Sequence, residues 1–248
     1  AGDMTVIEDG VAQDVVSFEA IELPSQPSTA PPPPRPRVSV NTSPAEQRGR
    51  TFAIIFDDTH LTPWRASQAK AAVADFLQKG VREGDRVTLV STAGGAWWTA
   101  RMTEGRVALV DSLKRLDGRY IPETQPDRLS EYEALRIQEY RDAQVAQRVL
   151  RRWDTYGVTL NLTGSDRNSL SANTVDDPIL MGRASEVYQQ AVTRIRTTLD
   201  TVERVVNGLA TAKGRKSVIL VSEGFIQDFN LAEYKRVNAA SRRANAAI

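Results

Sequence analysis

From Thr51 the chain reads Thr51-Phe52-Ala53-Ile54-Ile55-Phe56-Asp57-Asp58-Thr59-His60. Five successive apolar residues closed by two carboxylates do not suit a half-exposed strand, where apolar and polar side chains alternate. They suit a strand covered on both faces by helices, as a parallel sheet requires. A second run of this kind, Ser217-Val218-Ile219-Leu220-Val221, ends in Ser222-Glu223-Gly224.

Working outward, a helix enters through Pro63, with Ala66, Ala69, Val73, Phe76 and Leu77 at helical spacing, and Gly80 ends it. Residues 85–92 read as a strand, and Gly94-Gly95 turns the chain into another at 96–102, antiparallel and therefore at a sheet edge. Val107, Val110, Leu113 and Leu116 mark a short helix. Residues 128–153 and 184–211 each read as one long amphipathic helix, the second running roughly 40 Å. The Thr-, Ser- and Asn-rich segment 154–182 between them reads as an extended loop. A last helix covers about 230–245, and Ala246-Ala247-Ile248 begins another apolar segment. Alternating strands and helices predict an α/β fold: a doubly wound, mostly parallel sheet with one antiparallel edge strand and a long helical insertion at about 120–189.

Ahead of this, residues 1–23 read as a β-hairpin turning at Asp9-Gly10, the tail of a preceding β domain. Residues 24–49 hold seven of the 12 prolines between Pro24 and Pro36 and read as a stiff linker. The domain proper is then 50–248, incomplete at its C-terminus, and the chain reads as a piece of a longer one.

Composition narrows the chemistry. The 248 residues include no cysteine and one histidine, which excludes disulfides, zinc fingers, iron–sulfur clusters, thiol nucleophiles and multi-histidine metal sites. The 32 Lys and Arg nearly balance 31 Asp and Glu, against the basic surplus that nucleic-acid binding needs. No apolar run approaches the ~20 residues of a membrane span. Neither GxxxxGK[ST] nor GxGxxG occurs. What remains is oxygen chemistry where the two buried strands end. If those strands are neighbours, Asp57, Thr59 and Glu223 meet in one crevice and suit a hard cation such as Mg²⁺.

Strand ending in Asp57-x-Thr59, helix, strand, antiparallel edge strand, helix, then Gly214-Arg215-Lys216-Ser217-Val218-Ile219-Leu220-Val221-Ser222-Glu223-Gly224-Phe225: this order resembles a von Willebrand factor A (VWA) domain. More narrowly, with Glu8-Asp9-Gly10 and Phe18 upstream, it is similar to the VWA-related proteins abundant in acidobacteria. The resemblance implies a metal-ion-dependent adhesion site with Asp57 at its first Asp and Thr59 at its first Ser. Leu61 stands at the second Ser and Glu223 at the family's late Asp, so the site is degenerate. The family's middle-loop Thr falls in the inserted region, with Ser130 as the candidate. The resemblance also implies a non-enzymatic protein-interaction module, exported to the periplasm, cell surface or medium.

Asp58 and His60, beside the crevice, and Trp97-Trp98 on the edge strand are the candidate partner-binding residues. Alternation sends one indole inward to the core and one outward. Two other functions remain open: a structural subunit that assembles through the inserted helices, and a Mg²⁺-dependent phosphohydrolase with Asp57 as nucleophile. Thr59 or Thr62 can instead cap the helix at Pro63.

Overall fold

A computed structural model describes residues 6–8, 11–13, 49–94, 97–125, 127–157 and 176–248. The turn expected at Asp9-Gly10, the linker as far as residue 48 and most of the Thr/Ser/Asn-rich loop lie outside the described residues. The two hairpin strands are present: β1 (Val6–Glu8) pairs antiparallel with β2 (Val11–Gln13), Glu8 facing Val11.

The sheet that carries the fold has five strands, ordered β5-β4-β3-β6-β7. At its centre is β3 (Thr51–Phe56), buried along its whole length. It runs parallel to β4 (Arg86–Ser91) on one side and to β6 (Lys216–Val221) on the other. The antiparallel edge strand is β5 (Trp97–Arg101), as its glycine turn requires, and β7 (Ala246–Ala247) closes the opposite edge in parallel. Register sets Phe56 level with both Ser91 and Val221, so three loops leave the sheet at one height. The chain moves from β3 to β4 on one side and returns to β6 on the other, which makes the carboxyl ends of β3 and β6 a switch point.

Two apolar layers sandwich the sheet. Phe52, Ile54, Phe56, Val87 and Leu89 face α1 (Pro63–Lys79) and α2 (Arg106–Lys114). Ala53, Ile55, Val90 and Val218 face α5 (Pro178–Leu209) and α6 (Ala232–Ala244). Thr62 and Pro63 start α1, and the backbone N–H of Gly80 closes it on the Phe76 carbonyl.

The insertion differs from its expected form. In place of one helix over 128–153 there are two, α3 (Glu131–Gln138) and α4 (Ala143–Thr155). Asp142 is the reason: its carboxylate accepts from the backbone N–H groups of Gln144 and Val145 and so begins a new helix, with Arg141 turned to φ 49° before it. Ser130 is the N-cap of α3, in a reciprocal capping box with Glu133. The long helix α5 begins earlier than its apolar spacing suggested, because Asp177 caps it and Pro178 occupies its first turn. At 32 residues it is about 48 Å long. From Thr198, which touches the carboxyl end of β3, to Leu209 it covers the sheet. Its first 20 or so residues extend past that edge, where α3 and α4 pack on Leu180, Ala184, Val187 and Tyr188 as part of the same core. The insertion is thus a helical cap built onto the carboxyl edge.

Trp97 and Trp98 are both exposed, at 52% and 39%. Alternation holds, since Trp98 pairs with Leu89 on one face and Trp97 with Val90 on the other. Neither tryptophan is core: on the face shared with α1 and α2, Trp98 lies beside the C-cap of α2 and stays 39% exposed. Trp98 meets the Arg115 guanidinium, 5.8 Å from its ring centroid.

Candidate functional site

The site is a knot of hydroxyls around one carboxylate. The Asp57 side chain is fully buried where β3 ends. Its Oδ1 accepts from the hydroxyls of Thr59 at 2.8 Å, Thr92 at 3.0 Å and Thr198 at 3.0 Å. Its Oδ2 accepts from the Ser222 hydroxyl at 2.8 Å and from His60 Nδ1 at 2.9 Å. These donors come from the β3 loop, the end of β4, α5 and the end of β6, so a single side chain ties four parts of the fold together. Burial pushes the Asp57 carboxyl up, but the His60 hydrogen bond and charge, and then the Thr59 and Ser222 hydroxyls, outweigh it and hold the pKa below the ordinary Asp value. Asp57 is therefore ionised at neutral pH. Its stabilisation is present above the unfolded-state pKa and is lost as pH falls through the lowered folded one.

Asp58 points to the β4 side. It accepts from Ser91 Oγ at 2.9 Å, Thr92 Oγ1 at 2.8 Å and the Ala93 N–H at 2.9 Å. The single proton of Thr92 is thus shared between two buried carboxylates. His60, with its ring 5.0 Å from that of Phe225, is also buried, and its Nε2 has no hydrogen-bond partner among the described residues. The hydroxyls near the imidazole, Thr59 at 3.4 Å and Thr198 at 3.2 Å, lie on the Nδ1 side. A relay through Nε2 therefore finds no nucleophile here.

Glu223 does not join this knot. Its carboxylate accepts from the Thr62 N–H at 2.8 Å and the Thr62 hydroxyl at 2.6 Å, at the start of α1. The β6 residue on Asp57 is its neighbour Ser222. Leu61 is buried in the apolar layer beneath α1. The residues the sequence did not single out, Thr92, Thr198 and Ser222, share a legible sign. Thr92 and Ser222 are polar residues directly following apolar strands, and Thr198 interrupts the apolar face of α5 between Ile195 and Leu199.

The Mg²⁺ that the resemblance implies can be tested against this donor set. A hard cation needs carboxylate oxygens with free lone pairs and room for its waters. Here both oxygens of the one central carboxylate already accept five hydrogen bonds, one of them from an imidazole N–H. The second acid is held at the α1 cap, and the third motif position is apolar. The residues present do not fit the ion.

The segment after α2 seats on this loop. The Arg119 N–H donates to the Asp58 carbonyl at 2.8 Å and the Tyr120 N–H to the Leu61 carbonyl at 3.0 Å. Gly118 is needed for the approach, since a Cβ there would lie 2.4 Å from the carbonyl oxygens of Leu61 and Thr62. A cavity of about 630 Å³ opens above, with Thr59 in its lining, between residues 119–123 and 128–132 and α5. No family model, curated protein or solved structure matches this chain.

Proposed function

We propose that the protein is a non-enzymatic protein-interaction module that meets its partner at the carboxyl edge of the sheet, around a degenerate adhesion site that works without metal. The carrying observation is where large apolar side chains stand in solvent. Trp64, 72% exposed, opens α1; Trp97 and Trp98 lie level with the carboxyl end of β4; Phe229, 72% exposed, is in the loop after β6. Ile121 and Tyr132, also exposed, line the cavity above Thr59. Tryptophan and tyrosine carry much of the energy of protein interfaces, and isolated soluble domains rarely gather them on one side without use.

The hydroxyl knot beneath supports this reading, because it fixes the three loops that carry the aromatics. Export, implied by the VWA resemblance, belongs to the same proposal. No helix among the described residues is long and apolar enough to cross a membrane. Assembly through the inserted helices has less support, since α3 and α4 bury their apolar faces against α5. A phosphohydrolase needs an Asp57 open to attack phosphorus, and that carboxylate is buried with both oxygens engaged.

Photo-crosslinking tests the proposal. Benzoylphenylalanine at positions 64, 97 or 229, in cells that express the protein, is expected to give a discrete adduct. The same residue at 107 on α2 or 79 at the end of α1, both at the opposite end of the sheet, is expected to give none. Adducts confined to 107 and 79, or absent from all five positions, would overturn the assignment.

A further inference from the structure

We propose that the cavity above Thr59 is a receptor site for the side-chain carboxylates of an acidic peptide segment, held by Arg119 and Arg128. This rests on the reading of the carboxyl edge as the recognition face and names the chemistry that the face selects. The cavity has the size of a ligand site, about 630 Å³, and its wall carries three arginines and two glutamates. The glutamates are already matched. Glu131 accepts from Arg194 Nη2 at 2.5 Å and from the Tyr120 hydroxyl at 3.2 Å. Glu123 accepts from Arg183 Nη2 at 2.7 Å.

The arginine charge is not matched in the same way. Arg119 is 64% exposed in the cavity lining, and its ion pair among the described residues is a long 3.6 Å approach of Nε to Asp58, with no carboxylate of the described residues at its Nη groups. Arg128 is exposed, and no carboxylate among the described residues pairs with its guanidinium. Its backbone is nevertheless fixed, because its carbonyl accepts from Arg152 Nη2 at 2.6 Å. Behind them Arg194 Nε is buried without a hydrogen-bond partner.

Two guanidinium forks on anchored backbone, with an excess of positive charge in a concave wall, suit planar carboxylates bound bidentately. The exposed Ile121 and Tyr132 at the same wall give such a peptide apolar surface for its neighbouring side chains. Neither arginine lies in the buried knot, so the ligand is received above Asp57 and not by it.

Fluorescein-labelled hexaglutamate, titrated into the full chain at low salt and followed by anisotropy, tests this. Saturable binding is expected. Arg119→Ala with Arg128→Ala should weaken it about tenfold or more. Arg242→Ala with Arg243→Ala, which removes the same charge from exposed positions on α6, should leave it unchanged. Gln190→Glu puts a like charge in the α5 wall without touching either arginine and should also weaken binding.

Absence of binding to the wild type, equal loss in the two double variants, or binding of a phosphoserine peptide but not hexaglutamate would overturn the proposal. The crosslinking positions 64, 97 and 229 lie outside the cavity lining. Edge adducts together with a failed titration would therefore remove the acidic-peptide site and keep the interaction module.

Discussion

Asp57→Ala is expected to cost about 3–5 kcal/mol of folding stability, the range seen when one partner of a buried charged network is removed. At this chain length that is a fall of about 6–20 °C in Tm. The reason lies in the geometry: the substitution removes the shared acceptor of four hydroxyls and an imidazole N–H, of which Thr92, Thr198 and His60 are buried. Asp57→Asn should lose less, because hydroxyls can rotate and His60 can change tautomer to accept from the new amide. Thermal unfolding by circular dichroism reads both. An acid kept only for a cation would behave differently, since its removal would leave the metal-free protein as stable or more so. An Asp57→Ala midpoint at or above wild type would contradict the hub described here.

Trp153→Ala is expected to be comparably severe, at about 3–5 kcal/mol for truncation of a large buried aromatic. Trp153 is 3% exposed, and its indole N–H donates to the Asp127 carbonyl at 2.8 Å, which fixes α4 to the segment that leads into α3. The helical cap and one sheet face share a continuous core. The loss should therefore appear as one cooperative transition at lower temperature. A two-step unfolding in which only helix signal is lost early, with the main transition unmoved, would show that the cap is an independent arm.

Much of the architecture is legible in the residues, and the reason is burial. Strands covered on both faces must be apolar throughout, and 52–56 is such a strand; 217–221 is equally apolar and pairs beside it, but of its residues only Val218 is buried. The pairing of Asp57 with Thr59 is equally local. Other features depend on tertiary placement. Whether Ser222 or Glu223 faces Asp57 is decided by the register that sets Val221 beside Phe56. Thr198 reaches the site only because α5 crosses the sheet at that level. The break at Arg141 has no glycine or proline to announce it and follows from the capping strength of Asp142. For Trp98 the alternation is readable, but its exposure beside the end of α2 is not.

The central claim is that the carboxyl edge is organised by hydrogen bonds to Asp57 and not by a cation. Calorimetric titration of Mg²⁺ or Mn²⁺ into the wild-type chain, with the unfolding midpoint measured in EDTA and in excess metal, tests it most directly. A cation at ten times its Kd would add about 1.4 kcal/mol and raise Tm by several degrees. The account predicts no saturable heat and the same midpoint in both conditions. Saturable binding that raises the midpoint and disappears in Asp57→Asn would contradict it.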